Sequence, residues 1–229
     1  LSSIIDVIAL GSSDNVDVNL YGNLNVSQDL NVVAFNPDFA SFASEHSILN
    51  VSSDVSTIKD LSVASNYNNV AKAKFTGNVT LTGLLGVAAL DQTSICMDAA
   101  MTSSTAYDWL DPINVVSASY HYSYDFSPTT YVSFDHVHFD GTDLMINQSG
   151  LTSDLHLYID SADGILHNLE LNAENGAHLS YFLPENVSMS GDLIVHASAF
   201  TPYFLSEPSL DTQVSLAADL NHSYIHSID

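Results

Sequence analysis

The sequence contains no arginine, and its three lysines, Lys59, Lys72 and Lys74, lie within one short stretch. Against 27 acidic residues, this gives a formal net charge of −24 at pH 7. A surface of that charge repels nucleic acid and anionic membranes. The scarcity of cationic side chains also removes the usual binding groups for phosphorylated or carboxylated substrates. The composition therefore predicts no nucleic-acid partner.

Cysteine and long apolar runs are scarce as well. Cys96 is the single cysteine, so it is either a buried thiol or one half of a bond to another chain. No run reaches the roughly 18 apolar residues of a transmembrane helix, so we expect no membrane span. The sequence begins at Leu1 rather than Met, which favours a mature form after removal of a signal peptide.

Asparagine-linked glycosylation is indicated by six Asn-x-Ser/Thr sequons, none with proline in the middle. Four of them have the form Asn-Val-Ser/Thr, which places them in strand-like sequence. The sequons and the leucine start together predict a secreted, extracellular glycoprotein. The acceptor residues are Asn25, Asn50, Asn78, Asn147, Asn186 and Asn221.

Apolar and polar residues alternate with a period of two along most of the chain, which is typical of strands with one buried face. Short alternating runs separated by Gly, Pro, Asn and Asp predict about a dozen strands with little helix. Asp163-Gly164 is a strong hairpin signal between the runs 155–159 and 165–171. We therefore expect an all-β protein, an antiparallel sandwich, roll or barrel, in which residues 1–229 form one domain.

The densest aromatic pattern lies at 119–126, where Tyr120, Tyr122, Tyr124 and Phe126 alternate with polar residues. A break at 127–130 and a second run at 131–139, which includes Phe134, predict a hairpin. At ~150–250 Å² per ring, the ladder offers roughly 800 Å² of apolar surface, more than a soluble monomer usually exposes. The protein's own core, another subunit or a ligand must cover it.

Two functional interpretations of this ladder remain open. It is either one inward face of a β core or the wall of a cavity or subunit groove that binds a lipid, a carotenoid or another pigment. Tyrosine suits the second role because its ring stacks and its hydroxyl bonds to a ligand's polar end. The predicted ligand-binding residues are Tyr120, Tyr122, Tyr124, Phe126 and Phe134. Covering the ladder and pairing Cys96 also favour a homo- or hetero-oligomer.

A metal site is a further candidate, because His136 and His138 fall on the same face of a predicted strand. Imidazole together with the flanking Asp135 and Asp140 suits zinc or copper. The alternative is that a chain without arginine uses histidine at wet, weakly basic positions. Catalytic motifs are missing: the sequence has no Gly-x-Ser-x-Gly elbow, no phosphate-binding glycine loop and no His-Glu-x-x-His. We therefore expect no enzymatic activity.

A faint internal repeat connects three short segments, each of which contains Gly followed by Asn or Asp and a strand. The glycines are Gly22, Gly77 and Gly191, at separations of 55 and 114 residues. A duplicated β unit is one interpretation. The alternative is that Gly before an Asx residue is common between strands.

The overall profile resembles the carotenoid-bearing egg perivitellins of snails. The resemblance rests on acidity, the sequons Asn25, Asn50, Asn78, Asn147, Asn186 and Asn221, the few tryptic sites and the β-rich pattern. It implies an oligomeric, digestion-resistant storage and pigment protein. Long alternating runs such as 74–85 are also similar to the tubular lipid-binding fold of lipid-transfer and juvenile-hormone-binding proteins, whose long helices and N-terminal cysteine pair are not seen here.

These observations lead to one expected function and one alternative. We expect a secreted, acidic glycoprotein that binds or stores a hydrophobic ligand, such as a lipid or a carotenoid, in an oligomeric, protease-resistant assembly. The alternative is a structural or adhesive extracellular β module without a ligand.

Overall fold

The fold consists of strands joined by short turns, with no helix among the residues that the structure describes. In this computed structural model those residues are 4–10, 15–35, 46–66, 69–90, 129–149, 153–174, 178–183, 186–198, 213–218 and 227–228. The all-β prediction is confirmed. The strands are β1 (Ile4–Leu10), β2 (Asn15–Tyr21), β3 (Leu24–Phe35), β4 (His46–Asn66), β5 (Val70–Leu81), β6 (Leu84–Leu90), β7 (Thr129–Ser149), β8 (Asp154–Ile159), β9 (Ala162–Glu174), β10 (His178–Leu183), β11 (Val187–Met189), β12 (Asp192–Ser198), β13 (Gln213–Ala218) and β14 (Ser227–Ile228).

Every strand pairing in the described part of the chain is parallel, so the predicted antiparallel sandwich, roll or barrel is wrong in its strand direction. Successive turns of the chain pair with one another: Leu61 lies opposite Leu85, and Leu144 lies opposite Leu169. The chain is therefore a parallel β-solenoid. The number of residues between two positions that pair in neighbouring coils, such as Leu61 and Leu85, is the length of one coil and is called the coil interval below. Apolar and polar residues alternate along its strands because each strand has one face in the core and one face in solvent. Antiparallel strands usually show the same pattern.

Three sheets run along the solenoid, and a complete coil, such as residues 46–66, contributes one segment to each sheet. Long strands such as β4 and β7 bend from one sheet into the next through shifts in register. Sheet 1 contains 15–21, 46–52, 70–76, 129–134 and 154–159. Sheet 2 contains 24–26, 55–58, 78–81, 136–139, 162–164 and 187–189. Sheet 3 contains 4–10, 29–35, 60–66, 84–90, 143–149, 169–174, 193–198 and 227–228.

The core is a stack of identical positions in successive coils. A ladder of six leucines follows sheet 3, each at most 5% exposed: Leu30, Leu61, Leu85, Leu144, Leu169 and Leu193. On sheet 1, the rings of Phe75 and Phe134 stack with centroids 5.1 Å apart. Burying each such side chain contributes about 1.5–3 kcal/mol, so coil-to-coil stacking supplies the main apolar stabilisation.

Side-chain oxygens cap backbone N–H groups at the corner between sheets 2 and 3. Asp60 accepts from the N–H of Leu84 at 2.8 Å, Asp143 from that of Asn168 at 3.1 Å, and Asn168 from that of Asp192 at 2.9 Å. In each case the capped residue occupies the same position one coil later. This corner ladder satisfies N–H groups where the chain turns.

The glycines of the predicted repeat fall at two different corners. Gly22 and Gly77 are equivalent positions two coils apart, both with positive φ (90° and 113°), between sheets 1 and 2. Gly191 instead lies between sheets 2 and 3, where a Cβ would come within 2.3 Å of the carbonyl oxygen of His167. The first glycine interval is therefore two coils, and the second joins unlike positions.

The predicted hairpin at Asp163-Gly164 is also wrong. Gly164 adopts a positive φ of 100° inside β9, which continues from Ala162 to Glu174 and pairs in parallel with β7. The Asp-Gly pair marks a local change of conformation rather than a reversal of the chain. Of the aromatic hairpin predicted from the runs 119–126 and 131–139, the first run lies outside the described part, and the second belongs to β7.

Candidate functional site

Sheet 1 is interrupted after β8. β10 begins one regular coil interval after β8, because Asp154 and His178 are as far apart in the sequence as Leu61 and Leu85. By sequence spacing alone, β10 corresponds to the next strand of this sheet. Among the described residues, however, β8 pairs with β7, and β10 pairs with β13 in a separate two-stranded sheet. The ladder thus opens between β8 and β10.

This opening leaves the inward side chains of β8 only half buried. Val132 and Phe134 of β7 are at most 1% exposed, whereas Leu157 and Ile159, which lie opposite them in β8, are partly exposed. Leu155 shows the same partial exposure. Among the described residues, no further strand of sheet 1 covers these apolar side chains.

A cavity of about 590 Å³ occupies the opening. Its volume falls within the roughly 300–1,000 Å³ of small-molecule sites. Aliphatic residues form most of the inner wall, and a few polar residues stand towards the corner between sheets 1 and 2. The lining consists of Ile146, Leu155, Leu157, Tyr158, Ile159, Asp160, Ser161, Ala162, Leu179, Ser180, Tyr181 and Asn186.

Tyr181 is one of the residues that line the cavity, and its hydroxyl oxygen lies in the protein interior. Its side chain is buried, and its hydroxyl oxygen has no hydrogen-bond partner among the described residues. Burial raises the pKa of the phenol well above its ordinary value, so the group is neutral and can donate a proton in a hydrogen bond. An unpartnered buried hydroxyl costs about 1–3 kcal/mol.

The predicted aromatic site is placed only in part. Phe134 lies in the core, 1% exposed and stacked on Phe75, and is not among the residues that line the cavity. Tyr120, Tyr122, Tyr124 and Phe126 lie outside the described residues. Their role in ligand binding stays a prediction.

The predicted metal ligands lie together on the outer surface of sheet 2. His136 and His138 are both exposed on the same side of β7, and Nδ1 of His138 lies 2.5 Å from Oδ1 of Asp163. Within the described ranges, no group of three or more His, Cys, Asp and Glu side chains is arranged to hold a metal ion. A metal site at His136 and His138 stays a prediction.

Five of the six sequon asparagines lie in the described part, all but one of them exposed. Asn25, Asn50, Asn78 and Asn186 are exposed, whereas Asn147 is half buried and its Oδ1 accepts a hydrogen bond from Nδ2 of Asn172 at 2.6 Å. Asn221 lies outside the described residues. Glycosylation stays a prediction at all six positions.

Sequence reasoning missed the cavity residues of β8 and β10. The alternation of 155–159 predicted a strand, but no local signal distinguished Leu157 from an ordinary core residue or singled out Tyr181. Only the coil interval, known from the structure, aligns β10 with β8 and shows that these two strands do not pair.

Comparisons with known proteins do not identify the chain. No protein-family model, no curated protein and no solved structure matches it. The resemblance to egg perivitellins therefore still rests on composition. In the part of the chain that the structure describes, no helix is long and apolar enough to cross a membrane.

Proposed function

We propose that this chain is a secreted glycoprotein without catalytic activity that binds a hydrophobic small molecule, such as a lipid or a carotenoid-derived pigment, in the cavity between β8 and β10. The buried, unpartnered hydroxyl of Tyr181 carries the proposal. A core that excluded ligands would leave this group unsatisfied at a cost of about 1–3 kcal/mol. The half-buried side chains of β8 supply the apolar contact.

The chemistry of the cavity restricts the ligand. Neither an arginine nor a lysine lines it, and Asp160 is the single acidic residue among the lining side chains. A carboxylate or phosphate buried here would have no opposite charge nearby, which is unfavourable. The ligand is therefore a neutral apolar molecule with one hydrogen-bond acceptor, such as a ketone, aldehyde, ester or ether.

Isothermal titration calorimetry with β-ionone, an apolar ketone, tests this proposal. We expect saturable binding to the wild-type chain and affinity about 5–10-fold lower for Tyr181→Phe, because the variant keeps the ring and loses one hydrogen bond. Tyr21→Phe, at a tyrosine that is 84% exposed on the same sheet, is the matched control and should bind as the wild type does. Absence of binding, or equal affinity for all three proteins, contradicts the proposal.

Assembly into oligomers is part of the same proposal. The outer surface of sheet 3 exposes large apolar side chains near the start of the chain: Ile4, Ile8, Leu10 and Phe35, each 40–57% exposed. Contact with another subunit would remove this surface from water. The net charge of −24 opposes self-association, so we expect the mass measured by light scattering to rise with added salt. A monomeric mass from low to high salt argues against it.

A structural or adhesive role is the second candidate, and the repeated coils favour it. Stacked parallel coils with a continuous leucine ladder form an elongated scaffold whose outer faces carry polar side chains in register. If the purified chain binds neither β-ionone nor lipid, this role replaces ligand storage.

A further inference from the structure

The outer face of sheet 3 slopes across its first four strand segments, 4–10, 29–35, 60–66 and 84–90. One outward column of side chains shrinks along these segments from isoleucine to alanine: Ile8, Val33, Ala64 and Ala88. The neighbouring outward column shrinks in the same order, from aspartate to glycine: Asp6, Asn31, Ser62 and Gly86. Between the two columns lie the buried residues Val32 and Val87. We call this surface the wedge face, which is high along β1 and low along β6.

The high edge of the wedge face is apolar and exposed. Ile8 is 40% exposed and Leu10 is 57% exposed. The two sloping columns contain a single charged residue, Asp6, whose Oδ1 accepts a hydrogen bond from Nδ2 of Asn31 at 2.8 Å. A contact surface with few charges is notable in a chain whose formal net charge is −24.

The rim of the wedge face holds its other polar features. Asp29 and Asp60 are in register with each other beside the corner between sheets 2 and 3. Among the sequon asparagines that the structure describes, Asn147 alone lies on the outer face of sheet 3. It belongs to β7, opposite Ala88, and thus borders the low edge of the wedge face. A glycan at this position would stand beside the four segments rather than on them.

We propose that the wedge face binds the wedge face of a second copy of this chain, through a twofold axis that is parallel to the strands and lies between β3 and β4. This inference rests on the proposed assembly into oligomers and specifies its interface. The axis reverses the order of the strands, so β1 of each copy lies over β6 of the other. The contact is isologous and closes as a dimer.

Side-chain size is complementary in this arrangement, because high and low halves meet. Ile8 faces Ala88 of the second copy, and Val33 faces its Ala64. In the neighbouring column, Asp6 faces a glycine and Asn31 faces a serine hydroxyl. Packed sheets interdigitate in this way. A twofold axis along the solenoid would instead place Ile8 on Ile8 and leave a gap between the two β6 strands.

The slope also explains why a second copy is the occupant. The high and low halves of one face match each other, so another copy supplies the complementary surface. A lipid bilayer is flat on this scale and would contact only the high half. The net charge of −24 also repels an anionic membrane.

The size of the wedge face predicts a weak dimer. β1 and β6 are seven residues long, so four such segments cover about 19 Å by 23 Å, or about 440 Å² per copy and 900 Å² in total. Complexes that bury less than about 1,200 Å² are weak and transient. Asp29 faces Asp60 of the second copy at the rim, so the dimer should tighten between about 0.01 M and 0.15 M salt.

Sedimentation equilibrium of the wild type and of Ala88→Leu at 0.15 M salt tests the proposal. The substitution adds apolar surface, so non-specific association would become stronger. In the proposed dimer it places leucine against Ile8 at two symmetric contacts, and we expect the dissociation constant to rise about tenfold. Thr57→Leu, at a half-buried outward position on sheet 2, is the matched control and should dimerise as the wild type does.

A compensating variant makes the test specific. Ile8→Ala combined with Ala88→Leu exchanges the large and small partners, so the dissociation constant should return to within about threefold of the wild-type value. Circular dichroism and thermal melting establish that each variant is folded.

Chemical cross-linking gives a second measurement of the orientation, in a Cys96→Ser background that removes the single cysteine. A short bismaleimide should join Ile8→Cys to Ala88→Cys in a mixture of the two proteins. It should not join Ile8→Cys to itself. Efficient self-linking of Ile8→Cys would overturn the proposed axis.

The remaining outcomes separate this inference from the proposed function. A dimer that is unweakened in Ala88→Leu, or not restored in the compensating variant, overturns the wedge contact and leaves oligomer formation standing. A monomeric wild type at all salt concentrations contradicts both, and co-sedimentation of that monomer with phosphatidylcholine vesicles would assign the face to a membrane. Ala88→Leu should bind β-ionone as the wild type does, because Ala88 does not line the cavity between β8 and β10.

Discussion

Tyr181 combines two properties that ordinary core residues do not share. It is buried beside apolar neighbours, yet its hydroxyl has no partner among the described residues. Other inward polar groups are satisfied within the solenoid: the hydroxyl of Ser47 donates to the carbonyl of Val33 at 2.6 Å, and that of Thr142 to the carbonyl of Leu81 at 2.7 Å. The hydroxyl of Tyr181 is therefore expected to lower the free energy of unfolding unless a bound molecule accepts its hydrogen bond.

Without ligand, Tyr181→Phe should be more stable than the wild type. The substitution removes a buried hydroxyl that loses its water contacts on folding and gains no partner, so we expect the free energy of unfolding to rise by about 1 kcal/mol. Urea denaturation monitored by circular dichroism measures the change, and Tyr21→Phe is the exposed control. A Tyr181→Phe protein less stable than the wild type would show that the hydroxyl is already satisfied.

The sequence did not predict the residues of the candidate site. The aromatic ladder was the predicted ligand-binding wall, but Phe134 lies in the core, Tyr120, Tyr122, Tyr124 and Phe126 lie outside the described residues, and the cavity is lined mainly by β8 and β10. A period of two shows which side chains share a face, and it does not show whether the next coil covers them. That depends on pairing between residues one coil apart, which local patterns do not report.

At the scale of elements, the corner between sheets 2 and 3 fixes how successive coils stack. Asp60, Asp143 and Asn168 each accept from the backbone N–H of the next coil. Burial raises the pKa of Asp60, but the Leu84 N–H and the Lys59 ammonium outweigh it, so this pKa lies below its usual 3.8. The ionised form is therefore stabilised in the folded protein.

Substitutions of Asp60 should distinguish the contribution of its hydrogen bond to stability from the contribution of its charge. Asp60→Ala leaves the N–H of Leu84 without its acceptor and should lower the free energy of unfolding by about 1 kcal/mol at pH 7. Asp60→Asn keeps an acceptor, as Asn168 does naturally, and should lose less. Because the folded pKa is depressed, the advantage of wild type over Asp60→Asn is full at neutral pH and disappears as the pH falls below about 3.8.

Urea denaturation of the three proteins at pH 7 and at pH 3 measures both effects. Equal stability of Asp60→Ala and the wild type at pH 7 would show that the corner ladder does not support the stacking of coils.

The strands themselves were largely predictable, whereas their arrangement was not. The run 155–159 matches β8 (Asp154–Ile159) to within one residue, because alternation is a local property. Pairing direction was wrong because a solenoid strand alternates as an antiparallel one does. Two coils are longer than the others because they contain residues 36–45 and 91–128. The repeat is therefore irregular in the sequence and was not recognised.

At the scale of the whole molecule, all three trypsin sites lie in interior strands. Lys59 is in β4, and Lys72 and Lys74 are in β5; each of these strands has hydrogen-bonded neighbours on both sides. A protease binds its substrate as an extended, unpaired strand, so cleavage requires local or global opening. The fold thus supports the proposed resistance to digestion.

Native protein should remain intact in trypsin under conditions in which urea-unfolded protein is cut after all three lysines. Gel electrophoresis and mass spectrometry follow the products over time. If opening is fast relative to cleavage, the rate of cleavage of the native protein is proportional to the population of the open form. This rate should therefore rise in Asp60→Ala, which is expected to be less stable. Rapid native cleavage after Lys72 or Lys74 would contradict the account of β5 as an interior strand.

The most direct test of the central claim is the infrared spectrum of bound β-ionone labelled with ¹³C at its carbonyl. If Tyr181 donates a hydrogen bond to the ligand, the carbonyl stretch in the wild-type complex lies at a lower wavenumber than in the Tyr181→Phe complex, because hydrogen bonding weakens the C=O bond. The difference between spectra recorded with ¹³C-labelled and with unlabelled β-ionone isolates the ligand carbonyl band from the protein amide bands. We predict that downward shift for the wild type and for Tyr21→Phe; identical carbonyl bands in the wild-type and Tyr181→Phe complexes would contradict the proposed site.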